Sequence, residues 1–160
     1  DELNAQKAVV VVGPNMDSVA RTVLPHPSVV QKKQQGTGDA VKAAKSELEG
    51  FDGNVLILYG DTPLITKETL EKMIGRLIVE NGELQKIVEF KDASQAERAV
   101  GLCNSGVMCV DAKRLLGWLD RLKNDNAAGE YYLTDIVAMA RADGLKAAVV
   151  EGLIRVPIWL

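Results

Sequence analysis

Gly36-Thr37-Gly38-Asp39 sits where an apolar strand pattern gives way to a helical one. Glycines let backbone N–H groups approach a ligand, and a helix N-terminus favours anions. The tripeptide lacks the full spacing of the dinucleotide fingerprint or of the Walker A loop. An ordinary loop-to-helix turn therefore stays open beside a nucleotide cradle. Tyr59-Gly60-Asp61 ends the most apolar strand pattern of the chain. Open α/β sheets bind ligands outside the carboxyl ends of their strands. A carboxylate there can hold Mg²⁺, a hard cation that shares oxygen ligands with substrate phosphates. The alternative for Asp61 is a cap or turn aspartate.

Glu89, in Lys86-Ile87-Val88-Glu89-Phe90-Lys91, alternates onto the face of Ile87 and Lys91. It either accepts hydrogen bonds from sugar hydroxyls or lies on a solvated face paired with Lys91. Asn104 interrupts an apolar stretch, where an amide needs partners, and is a structural bridge or a ligand hook. Gly129-Glu130-Tyr131-Tyr132-Leu133-Thr134-Asp135 gathers two aromatics and two acids before a helical pattern. Thr134-Asp135 reads equally as an N-cap cluster. His26, between Pro25 and Pro27, is expected in an exposed loop, and Trp118 in the core.

The elements that must position these residues alternate between apolar β-branched runs and helical spacings. Strands are expected at 8–12, 28–31, 54–59, 102–110 and 147–150. The 54–59 run, apolar on both faces, suits the centre of a parallel sheet covered by helices on both sides. Helices are expected at 17–24 (capped by Asn15 or Asp17), 39–48, from Thr66 through Ile74, 94–100 (capped by Ser94, with Glu97 three residues on), 112–122 and 133–142. Asn81-Gly82 between 76–80 and 83–91 predicts a hairpin with a type I′ turn. This order gives an α/β fold, a mainly parallel sheet with an added antiparallel hairpin.

Composition narrows the function classes. The 160 residues, 47% hydrophobic, suffice for one globular domain with its own core. A net charge of −3 speaks against a general nucleic-acid surface. No apolar run is longer than that at 8–12, too short to cross a bilayer. The opening residues lack the order of a signal peptide, so a cytoplasmic setting is expected, with no nucleic-acid or membrane partner. Cys103 and Cys109, six residues apart, would stand roughly 20 Å apart on an extended strand and cannot pair there. Buried, reduced thiols are expected.

Taken in order, the motifs form a series: Gln31-x-x-Gln34-x-Gly36-Thr37-Gly38, Leu58-Tyr59-Gly60-Asp61-x-Pro63-Leu64-Ile65, Gly75-Arg76, Asn81-Gly82, Ile87-Val88-Glu89-Phe90-Lys91-Asp92-Ala93, Asn104-Ser105-Gly106 and Gly129-Glu130-Tyr131-Tyr132-Leu133-Thr134-Asp135-Ile136. From about residue 8 to 152 this closely resembles the uridyltransferase domain of the bacterial bifunctional N-acetylglucosamine-1-phosphate uridyltransferase/glucosamine-1-phosphate acetyltransferase. The resemblance implies a Rossmann-like nucleotidyltransferase fold. It implies transfer of a uridylyl group from UTP to N-acetylglucosamine 1-phosphate, giving UDP-N-acetylglucosamine and pyrophosphate for cell-wall synthesis. It also implies that Gln31, Gly36 and Thr37 bind the uracil and that Tyr59 lies near nucleotide and sugar. Asp61 would be the catalytic Mg²⁺ ligand. Gly75, Glu89, Asn104 and Thr134 would contact the amino sugar.

The chain departs from that family in four places. No glycine-rich, basic triphosphate loop precedes residue 8, and 153–159 offers no second, asparagine metal ligand. The joint at 74–75 falls where the family has a further strand and loop, and the acetyltransferase β-helix is missing. An incomplete nucleotidyltransferase domain at 8–152, with atypical ends at 1–7 and 153–160, is therefore expected. It should bind UDP-sugar weakly and turn over poorly. Homo-oligomerisation is expected only of a full-length protein, since the family's trimer is built largely through the β-helix.

Overall fold

The computed structural model describes residues 5–60 and 76–149. The helix expected from Thr66, the joint at 74–75, Asp61 and Gly75 all lie outside the described residues, as do the chain ends at 1–4 and 150–160. The chain divides into two compact units, one of Asp1–Gly53 with Asp111–Leu133, the other of Asn54–Val110 with Thr134–Leu160.

In the first unit, β1 (Val10–Val12) runs parallel to β2 (Ser28–Val30), with α1 (Asp17–Thr22) between them. The expected caps of α1 are corrected. Met16 holds the N-cap position without a side-chain bond, because Asn15, at φ 63°, turns the chain in the left-handed region instead. The single helix expected at 39–48 is two: α2 (Thr37–Ala43) and α3 (Lys45–Leu48). Ala44 donates its N–H to Val41 O, three residues back, and this tighter turn ends the α-helical ladder.

The centre of this unit is α5 (Ala112–Arg121), which follows α4 (Gln95–Arg98) of the other unit in the chain. Asp111 accepts the N–H of Arg114 at 3.0 Å, a true N-cap that the sequence reading passed over. Leu115, Trp118, Leu119 and Leu122 recur at helical spacing and are buried, Leu115 and Leu119 completely. Full burial of each leucine stabilises by about 1.5–3 kcal/mol relative to exposure. Lys45–Asp120 and Lys113–Asp52 ion pairs tie the outer surface of α5 to its neighbours.

In the second unit, β4 (Arg76–Glu80) and β5 (Glu83–Val88) form the expected antiparallel hairpin. Asn81 and Gly82 both have positive φ, 52° and 78°, as a type I′ turn requires. The register slips by one between Ile78 and Val79. Leu77, Leu84 and Ile87 of the hairpin pack on Val137 of α6 (Asp135–Ala142). Glu83 anchors this layer by bonding Lys146 at 2.7 Å and Arg141 at 2.8 Å, and both cations hold its carboxyl below the usual carboxylate range. Ser94 and Glu97 make the expected capping box at α4. Hydrogen bonds from Lys86 and Ser94 lower the Glu97 pKa from 4.5 to about 2.

Several strand expectations are corrected here. β3 (Asn54–Ile57) pairs with β6 (Met108–Asp111) in a two-stranded sheet among the described residues. Among the described residues it is not covered on both faces. Val55 and Ile57 are half-buried, but Leu56 and Leu58 are 45% and 61% exposed, because the pleat turns alternate residues to the other side. The strand expected at 102–110 is interrupted. Cys103 makes one bridge to Arg76, and Asn104-Ser105-Gly106 then turns the chain before β6. Residues 147–149 are not a strand, and Ala147 O accepts the Leu84 N–H. The final helix starts at Asp135 rather than 133, since the Leu133 N–H bonds Thr37 Oγ. Both cysteines are free, as expected, but they are not buried: Cys103 is half-buried and Cys109 exposed. Cys109 falls on the exposed step of the β6 alternation. His26 is exposed and Trp118 buried, as expected.

Candidate functional site

The first unit carries a pocket at the start of α2. Gln31 leaves the end of β2, and the chain loops through 32–35 before Gly36 opens the helix. Gly36 has φ 99°, a region L side chains rarely enter, and a Cβ there would stand 2.8 Å from Tyr131 O. At Gly38 a Cβ would meet Leu122 Cδ1 at 2.7 Å and Tyr131 O at 2.8 Å. Backbone lies directly on backbone: Gly38 N–H donates to Tyr131 O at 2.7 Å, and Tyr131 N–H to Gln35 O at 2.8 Å. Thr37 Oγ accepts the Leu133 N–H at 3.0 Å. The GEYYL segment is thus the wall against which the GTG loop is built. Lys42 lies 3.9 Å over the Tyr131 ring on the same wall.

Gln31, Gln34, Gly36, Thr37, Ala40 and Glu130 line an open pocket of about 280 Å³. The Gln31 Nε2 donates to Gly36 O at 3.0 Å and to Asp39 Oδ2 at 2.9 Å. Both N–H bonds of the carboxamide are engaged, so its carbonyl oxygen is the acceptor left over. Asp39 Oδ2 also accepts the Gln35 N–H at 3.2 Å. On the opposite wall, Asn126 holds Glu130 by both backbone groups, at 2.6 Å and 3.2 Å.

Of the residues singled out from sequence, Gln31, Gly36 and Thr37 therefore come together. The second unit brings Glu89 and Thr134 together. Thr134, 2% exposed, donates its hydroxyl to Glu89 Oε1 at 2.9 Å. This corrects the capping reading: Thr134 occupies the N-cap position of α6, but its side chain makes no cap bond. It also gives Glu89 a partner on α6, where the alternative had been Lys91. Asn104 is buried and its Oδ1 accepts the Gly106 N–H at 3.2 Å, the bond of a local bridge. Tyr59 lies flat against Gly106, where a Cβ would come within 2.5 Å of its ring.

Sequence reading missed Asp39 as the partner of Gln31, having taken it only as the start of a helix. Gln34 and Glu130 stood in the motifs without a role of their own, and Ala40 and Asn126 were missed. An acid directly after the GTG tripeptide was the available signal for Asp39. Asn126 had none, since its partners are backbone groups. Among the described residues no three His, Cys, Asp or Glu side chains gather where they could hold a metal ion. Among the same residues no helix is long and apolar enough to cross a membrane.

The MobA-like NTP transferase domain family matches residues 1–142. The bifunctional protein GlmU of Rhodospirillum rubrum is 51% identical over 91% of this chain and 38% of its own length. That of Paramagnetospirillum magneticum is 48% identical over 94% of this chain and 39% of its own. The chain thus spans about two fifths of the length of the curated relatives it matches. Two crystal structures of UDP-glucose pyrophosphorylase share its fold. The apo form superposes with a TM-score of 0.55 at 15% identity, covering 86% of this chain and 70% of that one. The UDP-glucose complex gives 0.56 at 17% identity, covering 87% and 70%. Nucleotidyltransferases of this family generally use a divalent metal. With an α/β nucleotidyltransferase fold and a GTG loop set against GEYYL, the chain belongs to the MobA-like NTP transferase domain family.

Proposed function

We propose that the chain transfers a uridylyl group from UTP to N-acetylglucosamine 1-phosphate, releasing pyrophosphate and giving UDP-N-acetylglucosamine for cell-wall synthesis. The observation that carries the reading is the state of Gln31. With its N–H groups held by Gly36 and Asp39, it offers an acceptor to a pocket floored by glycine backbone. The uracil edge has a donor, N3–H, flanked by two carbonyl acceptors. Gln31 suits the donor, and backbone N–H groups of the Gly36-Thr37 turn suit a carbonyl. In the second unit, Glu89 and Asn104 supply acceptors for sugar hydroxyls and the acetamido group, with Thr134 fixing the Glu89 carboxylate. Tyr59 is assigned beside nucleotide and sugar, and Gly75 to the sugar.

The chemistry needs no acid–base histidine. An oxygen of the sugar phosphate attacks the α-phosphorus of UTP in line. The bond from that phosphorus to the oxygen bridging to the β-phosphorus breaks, and pyrophosphate leaves. Catalysis of this kind is mostly positioning and charge neutralisation. Mg²⁺ when bound supplies the neutralisation, and Asp61 is the ligand we assign to it from the motif. The described residues do not by themselves make a cation site. We assign the domain to 8–152 and the protein to the cytoplasm, where two free thiols are at ease.

Pyrophosphate release from UTP and Mg²⁺ across a panel of sugar 1-phosphates tests the reading. N-acetylglucosamine 1-phosphate should be the preferred acceptor. A preference for glucose 1-phosphate would move the chain to another sugar specificity. Binding of UDP-N-acetylglucosamine with no turnover of any acceptor would make it a binding domain.

A further inference from the structure

We propose that Asp39 is a positioning residue that sets base selectivity, by holding the Gln31 carboxamide in the one orientation that accepts from uracil. The inference rests on the uridine reading above and deepens it. The Gln31 Nε2 stands between two acceptors, Gly36 O at 3.0 Å and Asp39 Oδ2 at 2.9 Å. Turning the amide over would set its oxygen against both of them, one a full negative charge. Only the NH₂-inward orientation is satisfied, so the oxygen is what a residue lining the pocket can offer. Uracil N3–H donates to such an oxygen. Cytosine N3 is a lone pair and is repelled by it. Asp39 itself does not line the pocket; it acts through Gln31. The Gln35 N–H fixes the same Asp39 oxygen at 3.2 Å, so the loop holds the carboxylate that holds the amide.

Two substitutions separate the hydrogen bond from the charge. Asp39→Ala and Asp39→Asn both remove the negative charge, but only alanine removes the acceptor. In Asp39→Asn the Gln35 N–H keeps the amide oxygen turned inward. Titration of the 160-residue chain with UTP and with CTP, followed by NMR at the Gly36–Asp39 amides, gives the ratio of the two affinities. Asp39→Ala should lower the UTP:CTP ratio about tenfold, the worth of a hydrogen bond to a charged group. Asp39→Asn should keep the ratio within about threefold of the parent chain. A purely structural role would weaken both nucleotides together and leave the ratio unmoved, which overturns the inference. Equal loss in both variants also overturns it, since charge rather than orientation would then set selectivity.

The side-chain NH₂ of Gln31 gives a second readout that needs no variant. Its protons should exchange slowly and stay protected when UTP binds. Loss of that protection on binding would show the amide turning, and sinks the proposal. Gln31→Ala should collapse the ratio. If it does not, or if the parent chain binds UTP and CTP alike, the uridine reading falls and takes this inference with it. A collapse in Gln31→Ala alongside an intact ratio in Asp39→Ala refutes the role of Asp39 alone.

Discussion

The pocket of the first unit and the Glu89 site of the second are built by different means. The GTG loop is held by main chain on main chain, with Gly38 and Tyr131 in direct hydrogen-bond contact and no room for a side chain between them. The Glu89–Thr134 contact is made by two side chains from β5's end and the start of α6. Its scaffold is a hairpin clamped by ion pairs, Glu83 with Arg141 and Lys146. The first tolerates no added bulk at its glycines, and this backbone frame in turn holds the polar side chains of Gln31 and Asp39. The second depends on a polar contact between two side chains, Thr134 with Glu89.

Substitutions sharpen that contrast. The largest effect is expected at Gly36→Ala. Positive φ and a contact of 2.8 Å to the Tyr131 carbonyl act together, for a loss of about 3 kcal/mol in thermal unfolding and loss of UTP binding. Retained UTP affinity would mean that the loop yields more readily than a backbone-built wall can. Next comes Thr134→Val, isosteric but without the hydroxyl. It should cost about 1–2 kcal/mol and weaken N-acetylglucosamine 1-phosphate binding while leaving UTP binding unchanged. Equal weakening of both ligands would erase the distinction between the two sites. Gly82→Ala should cost about 1 kcal/mol, from the left-handed backbone alone, since its Cβ would meet no atom within 4 Å.

The smallest effect is one of pH. Glu97 has a folded pKa of about 2 against an ordinary 4.5, from the Lys86 hydrogen bond first and Ser94 next. A lowered carboxyl pKa contributes stability that is present above 4.5 and is lost as pH falls towards 2. Acid titration should therefore loosen the α4 cap across that window, and Glu97→Gln should flatten the response, read from amide exchange at 94–98. An unchanged profile in Glu97→Gln would assign the acid sensitivity of this unit to Glu83 instead.

Much of this was legible in the residues because its causes are local. The Asn81-Gly82 turn, the Ser94–Glu97 capping box and the leucine stripe of α5 each follow from a few neighbours in sequence. The GTG and GEYYLTD segments were recognisable as site material for the same reason. What could not be read is the pairing between them. The Leu133 N–H finds Thr37 across 96 positions, which shortens the expected helix at 133–142 and starts α2 early. Likewise, the β3 run is apolar at every position from 55 to 58, and only tertiary cover decides which of its faces is exposed.

The sequence by itself determined the family, the α/β alternation, the hairpin and the glycine-bearing segment that lines the pocket of the first unit. Those depend on short-range propensity, periodicity and residue type. The tertiary structure alone decided that Thr134 serves Glu89 rather than its own helix, that Cys109 faces solvent, and that Asp39 faces Gln31. Each of those is a choice among hydrogen-bond partners or faces that the local chain leaves equally open. Residues distant in sequence, or a single step of the pleat, settle them.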